Sequence, residues 1–209
     1  MTLPEGSVKE EGNVHPSPLI LASSSPRRLD LMRQVGIEPV RIESPDIDEA
    51  PLAHERPRDH ALRLAVDKRD AVIERLGKAE AYVLAADTVV ACGRRILPKA
   101  KDPDTAEHCL RLLSGRRHRV YTGVAVSSPD GRDNARVVMT MVTLKRLGSE
   151  QLMHYLQSEE WQGKAGGYGI QGRADAFVTA IQGSYSNVVG LPLQASTDLL
   201  RGLGFKGLP

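Results

Sequence analysis

The stretch Leu19–Leu31, LILASSSPRRLDL, governs how the whole chain is read. Leu19, Ile20, Leu21 and Ala22 form a short apolar run with the length of a buried strand. Three serines, a proline and two arginines interrupt it, and a helical pattern resumes at Leu29. Ser25 stands where a helix N-cap would, and Pro26 where the first helical residue would. A strand ending in hydroxyls and cations ahead of a helix also suits a bound anion, because the free N–H groups and the helix dipole favour negative charge there. Arg27 and Arg28 add guanidinium forks that match phosphate oxygens. The residues alone leave two readings open, an ordinary strand–turn–helix corner with solvated arginines and a phosphate site.

Outward from this corner, strand-like and helix-like segments alternate. Glu38–Ile42 reads as a strand, and Ser44–Pro57 as an acidic, proline-rich loop holding Asp46, Asp48 and Glu49. Arg58–Leu76 is an amphipathic helix stopped by Gly77, with Arg63, Asp67, Asp70 and Glu74 on its wet face and Ala61, Ala65, Val72 and Leu76 on its dry one. Lys68 falls at the centre of the dry stripe and Arg69 close to its middle; such a cation either snorkels to water or reaches into a cleft. Tyr82–Ala86 is a buried strand running into Asp87-Thr88, and Val89–Leu97 reads as a hairpin around Gly93. An acid at the carboxyl end of an apolar strand is where α/β folds place ligand groups, and equally where a plain turn aspartate sits. A helix over Pro103–Leu113, strands over Val120–Ser127 and Arg136–Leu147, a helix over Ser149–Gln157, a glycine-rich segment Gly163–Gly172, the stretch Phe177–Ile181 and a last helix opened by Pro192 complete the chain. The glycine-rich segment matches neither GxGxxG nor a Walker A loop. The pattern predicts a flexible tail over 1–17 and one α/β domain over 18–209, with a mixed twisted sheet flanked by helices and two lobes around a central cleft.

Composition narrows the function. A net charge of +2 over 209 residues and an aromatic content of 4% argue against a nucleic-acid surface, and Arg116, Arg117, His118 and Arg119 read as a solvated turn. No apolar run approaches a membrane span, and the acidic N-terminus lacks the apolar core of a signal peptide. Cys92 and Cys109 have no CxxC spacing, so free thiols and a cytoplasmic setting are expected. The six histidines form no metal-ligand pair.

Eight motifs then occur in a telling order: SSSPRR (Ser23–Arg28), IDE (Ile47–Glu49), LAVDKRDA (Leu64–Ala71), AADT (Ala85–Thr88), PKAKD (Pro98–Asp102), LSGRRHRVYTG (Leu113–Gly123), KAGGYGIQG (Lys164–Gly172) and GSYSNVVGLPL (Gly183–Leu193). In this order they resemble the Maf family over about residues 18–205. The resemblance implies a nucleoside triphosphate pyrophosphatase, a hydrolase that splits the α–β phosphoanhydride with a divalent metal cation, Mg²⁺ or Mn²⁺. The YGIQG ending resembles the dTTP/UTP branch rather than the 7-methyl-GTP branch. It further implies Asp87 as the catalytic acid/base residue and Arg27, Thr88 and Gln171 as the positions tied to substrate choice. Ser25, Arg28, Lys68 and Lys99 fall on phosphate-binding positions, and Glu49 with Asp87 on metal-holding ones. Asp87 thus has two open roles, proton acceptor and metal ligand. Resemblance, not periodicity, selects Lys68 over Arg69. The implied partner is a pyrimidine nucleoside triphosphate, and family members are often homodimers. Gln171, with a donor and acceptors on one amide, suits the O4/N3–H edge shared by thymine and uracil. One departure is Pro98-Lys99-Ala100 where the family commonly has GKP, so the backbone before Lys99 is differently restricted. Two other readings are a pyrophosphatase for other non-standard nucleotides, such as ITP, and a non-catalytic regulator, since the family has been associated with septum formation.

Overall fold

The structure, a computed structural model, describes residues 17–77 and 80–208, so the expected tail lies, apart from Ser17, outside the described residues. A mixed sheet of seven strands runs through the molecule in the order β2-β1-β3-β5-β6-β7, with β4 paired to β3. Its strands are β1 (Leu19–Ala22), β2 (Arg41–Glu43), β3 (Tyr82–Cys92), β4 (Arg95–Leu97), β5 (Arg117–Ser127), β6 (Asp133–Leu144) and β7 (Val178–Gln182). β1 is parallel to β2 and β3, and the pairs from β3 onward are antiparallel. Helices α1 (Pro26–Gln34), α2 (Pro57–Leu76), α3 (Pro103–Leu113), α4 (Ser149–Gln157), α5 (Tyr185–Val189) and α6 (Leu193–Gly202) flank it. α1, α2 and α3 each carry proline at their start, where the missing N–H costs nothing.

Three differences from the sequence-based expectation have clear causes. The second strand is Arg41–Glu43 rather than Glu38–Ile42, because Pro39 has no N–H to give and the ladder to β1 begins beyond it. The expected strand Tyr82–Ala86 and the first arm of the hairpin are one continuous strand, β3. β5 pairs with one edge of β3 from Val83 to Ala91, while β1 takes Tyr82–Ala85 and β4 takes Val90–Cys92 on the other. Asp87-Thr88 therefore lies inside a strand, at the gap between β1 and β4. The third difference concerns the basic cluster, which is not a solvated turn. Arg117, His118 and Arg119 open β5, and the two-residue alternation leaves the arginines exposed while burying His118.

Strand alternation also divides the core. Leu84 and Ala86 pack with α1 and α6 residues such as Met32 and Leu199, whereas Val83 and Ala85 pack with Val72 of α2. A larger cluster under α3, α4 and the glycine-rich segment contains Trp161, Tyr168 and Phe177. The two main clusters are the cores of two lobes, and the cleft opens between them. By the same alternation Asp87 faces α2 and Thr88 faces the α1/α5 side. Gly123, the register partner of Asp87, allows α2 to lie close: a methyl there would sit 2.1 Å from the Ala61 carbonyl oxygen. No helix among the described residues is long and apolar enough to cross a membrane.

Candidate active site

A cleft of about 380 Å³ opens beside the β1/β4 gap, walled on one side by Ser23–Arg28 and on the other by residues 162–171. Ser25, Arg27, Arg28, Glu49, Lys68, Thr88, Lys99 and Gln171 all line it. Asp87 is 2% exposed and stands behind Lys68 rather than in the wall.

Lys68 is the hub. Its Nζ donates to Asp87 Oδ1 at 2.5 Å and lies 2.5 Å from Glu49 Oε1, while Lys99 Nζ donates to Glu49 Oε2. Burial pushes the Glu49 carboxyl up, and the hydrogen bonds from Lys68 and Lys99 outweigh it, holding the group at about 2. The loop carrying Glu49 is fastened to α2 by Arg63, whose Nε donates to Glu55 Oε1 at 2.7 Å and whose Nη2 donates to the Ala50 carbonyl at 3.1 Å. Lys99 is fastened as well. Ala100 N donates to Lys164 O at 3.0 Å and Gly166 N to Pro98 O at 3.0 Å, so Pro98 spends only its carbonyl and its missing N–H is not needed. Gly166 (φ +70°) makes this approach feasible, since a Cβ there would meet Val90 at 2.9 Å.

Arg28 is half-buried and its guanidinium is clamped: Nε donates to Gly190 O at 2.8 Å, Nη1 to Ser23 Oγ at 2.9 Å and Nη2 to Thr88 Oγ1 at 3.3 Å. Those bonds engage three of its five N–H groups and leave two for a ligand. Burial lowers its pKa, and the carboxylates of Asp87 and Glu49 oppose this. Arg27 reaches the cleft with no ion-pair partner among the described residues; burial and then Arg28 lower its pKa. Ser25 occupies the N-cap position of α1, but its side chain accepts no capping bond and stays available to the cleft. Gln171 is exposed at the rim.

Sequence reasoning assigned nothing to Lys164, Tyr168, Thr122 or Asn187. Lys164 lines the cleft, its pKa lowered by burial and then by Arg27, with Glu160 opposing. Tyr168 is 6% exposed in the wall and lies 2.7 Å from His118 Nε2. Its place in KAGGYGIQG was the only available signal. The described residues contain no group of three or more His, Cys, Asp or Glu side chains suited to a metal. What they do offer is two carboxylate oxygens, from Glu49 and Asp87, already converging on one ammonium. A hard cation that keeps several waters and takes substrate oxygens fits such a pair.

The family model for Maf-like proteins matches residues 18–203. The chain belongs to the Maf family. Among its relatives, the dTTP/UTP pyrophosphatase of Caulobacter vibrioides is 56% identical over 188 residues, covering 90% of this chain and 96% of that protein. The dTTP/UTP pyrophosphatase of Paramagnetospirillum magneticum is 57% identical over 187 residues, 90% and 97% of the two chains. The Ham1 protein of Staphylococcus aureus superposes on 61% of this chain and 71% of its own at a TM-score of 0.44 and 16% identity, a likeness too loose to bear on function. In this Maf chain all eight motifs except LSGRRHRVYTG send a residue to the cleft wall or to Asp87 directly behind it.

Proposed function

We propose that this protein is a nucleoside triphosphate pyrophosphatase that hydrolyses dTTP and UTP to the nucleoside monophosphate and pyrophosphate. The observation that carries the reading is the set of cations lining the cleft, Arg27, Arg28, Lys68, Lys99 and Lys164, with Glu49 bridging Lys68 and Lys99 and Asp87 directly behind Lys68. The names of its relatives at more than half identity support the same reaction and the same bases. Phosphoryl chemistry is mostly positioning and charge neutralisation, and this cleft supplies both.

Lys68 spends two of its three hydrogens on carboxylates and keeps one for a phosphate oxygen; Lys99 keeps two, and Arg28 keeps two N–H groups fixed in direction. Ser25 and the first turn of α1 add donors to the same wall. Glu49 and Asp87 would hold the divalent cation, Mg²⁺ or Mn²⁺, which supplies further charge neutralisation along the triphosphate. The other role open to Asp87, buried and bonded to Lys68, is to accept the proton of the attacking water in place of holding the cation. Gln171 at the rim offers the base a donor and an acceptor together. Free thiols at Cys92 and Cys109 accord with a reducing, cytoplasmic setting.

The test is a panel of dTTP, UTP, CTP, ITP and 7-methyl-GTP, assayed for pyrophosphate with and without Mg²⁺ or Mn²⁺. Release from dTTP and UTP alone, dependent on metal and lost in Asp87→Asn, is the expected result. Turnover of dTTP by Asp87→Asn at the wild-type rate, or preference for ITP, overturns the proposal.

A further inference from the structure

Thr88 stands in a chain of hydrogen bonds whose direction is dictated by what each group can do. Arg28 can only donate, so its Nη2 gives a hydrogen to Thr88 Oγ1. At the far end the Asn187 carbonyl can only accept, so Thr122 Oγ1, 2.9 Å away, must give it the single hydrogen it owns. The Thr88 and Thr122 hydroxyls lie 3.0 Å apart as direct cross-strand partners. With the hydrogen of Thr122 spent, Thr88 has to be the donor in that contact. Thr122 and Asn187 are both fully buried, so no solvent competes for these positions. The accepting oxygen is the main-chain carbonyl of Asn187, fixed in the backbone of α5, and the Asn187 side chain anchors that residue as its Nδ2 donates to Val120 O at 3.2 Å and to Thr140 Oγ1 at 3.0 Å. Thr140 in turn gives its hydrogen to Ser184 O at 3.2 Å.

The consequence falls on the cleft. Thr88 lines it with no hydrogen to offer and with one lone pair free after accepting from Arg28. Such a group cannot serve an ionised phosphate, which carries only acceptors. It needs a donor from the nucleoside. A ribose hydroxyl rotates and suits either polarity, whereas position 3 of a pyrimidine ring has a fixed one: N–H in uracil and thymine, a bare lone pair in cytosine. We propose that Thr122 and Asn187 are positioning residues that hold Thr88 as an obligatory acceptor, so that Thr88 admits a pyrimidine with N3–H and rejects one without it. This rests on the pyrimidine triphosphate reading above.

Binding of UTP and CTP is titrated in EDTA, where no turnover complicates the ratio. Wild type is expected to favour UTP by about tenfold or more, the usual scale for a buried acceptor left facing another acceptor. Thr122→Val keeps the shape and frees the hydrogen of Thr88, and should bring the two affinities to within about twofold; Thr122→Ser should keep the wild-type ratio. Because Thr122 is fully buried, 3-methyl-UTP on the unaltered protein gives an arm that no folding defect can obscure, with binding about tenfold or more weaker than UTP expected. A Thr122→Val variant that keeps the full UTP preference, or a wild type that binds UTP and 3-methyl-UTP alike, overturns the inference. Selective binding without any pyrophosphate release would overturn the proposed activity and leave the role of Thr88 standing.

Discussion

His118 ties the stability of the cleft wall to pH. It is 2% exposed in β5, its Nε2 lies 2.7 Å from Tyr168 Oη, and its buried Nδ1 has no partner. Burial lowers the imidazole from its ordinary 6.5 to about 4, so the folded protein keeps it neutral at pH values where the unfolded chain takes up a proton. A group depressed in this way contributes its full stability above pH 6.5 and loses it as pH falls toward 4. The displacement of about 2.5 pH units, at 1.36 kcal/mol each, is worth roughly 3 kcal/mol, of which about 1.4 is gone by pH 5.5 and about 2.6 by pH 4.5. Urea unfolding at pH 7.5, 5.5 and 4.5 reads this directly when wild type is set beside His118→Gln, which keeps a donor and an acceptor but does not titrate. Carboxylates titrate equally in both proteins, so the difference between the two curves isolates the histidine. The wild type should lose about 1.4 kcal/mol more than the variant between pH 7.5 and 5.5. Parallel curves would mean that His118 is protonated normally in the folded state and that the reasoning is wrong. Since Tyr168 forms part of the cleft, the same acid range should weaken nucleotide binding.

Two further perturbations test how the site is held. Lys68→Met leaves Asp87 buried without its cation, a loss of about 3–5 kcal/mol; a melting temperature roughly 10 °C lower is expected, and one within a degree of wild type contradicts the central place given to this ion pair. Gly123→Ala drives a methyl into the Ala61 carbonyl and must push α2 off the sheet, costing about 1–3 kcal/mol and carrying Lys68 away from Asp87. Calorimetry and pyrophosphate release should fall together; a stable, fully active variant would show that the close approach is not needed.

The elements that could be read in the sequence are those with local punctuation. Pro26, Pro57 and Pro103 mark helix starts, and Gly36, Gly77 and Gly115, all at positive φ, mark helix ends. β3 could not be read whole because two polar residues, Asp87-Thr88, resemble a strand end. Only the handover of its edge from β1 to β4 shows why the strand continues. β5 starts earlier than the expected Val120, at Arg117, since three cations around His118 hide a two-residue period.

The site shows where local reading ends. Lys68 and Arg69 are equivalent by periodicity, and both are buried. What separates them is the carboxylate each one meets: Lys68 reaches Asp87 and Glu49 in the cleft, while Arg69 turns to Asp70 at 2.7 Å and Asp133 of β6 at 3.1 Å. Neighbours on a helix point about 100° apart, and an aspartate at each destination satisfies both cations. No windowed pattern contains that information, because Asp87 and Asp133 lie far along the chain and are brought to α2 by the sheet. The same holds for Thr88, whose hydroxyl polarity depends on its register with Thr122 and on a five-residue helix, α5, that ends at Val189. A residue type at a motif position says which atom is present; the strand beside it decides whether that atom gives a hydrogen or takes one.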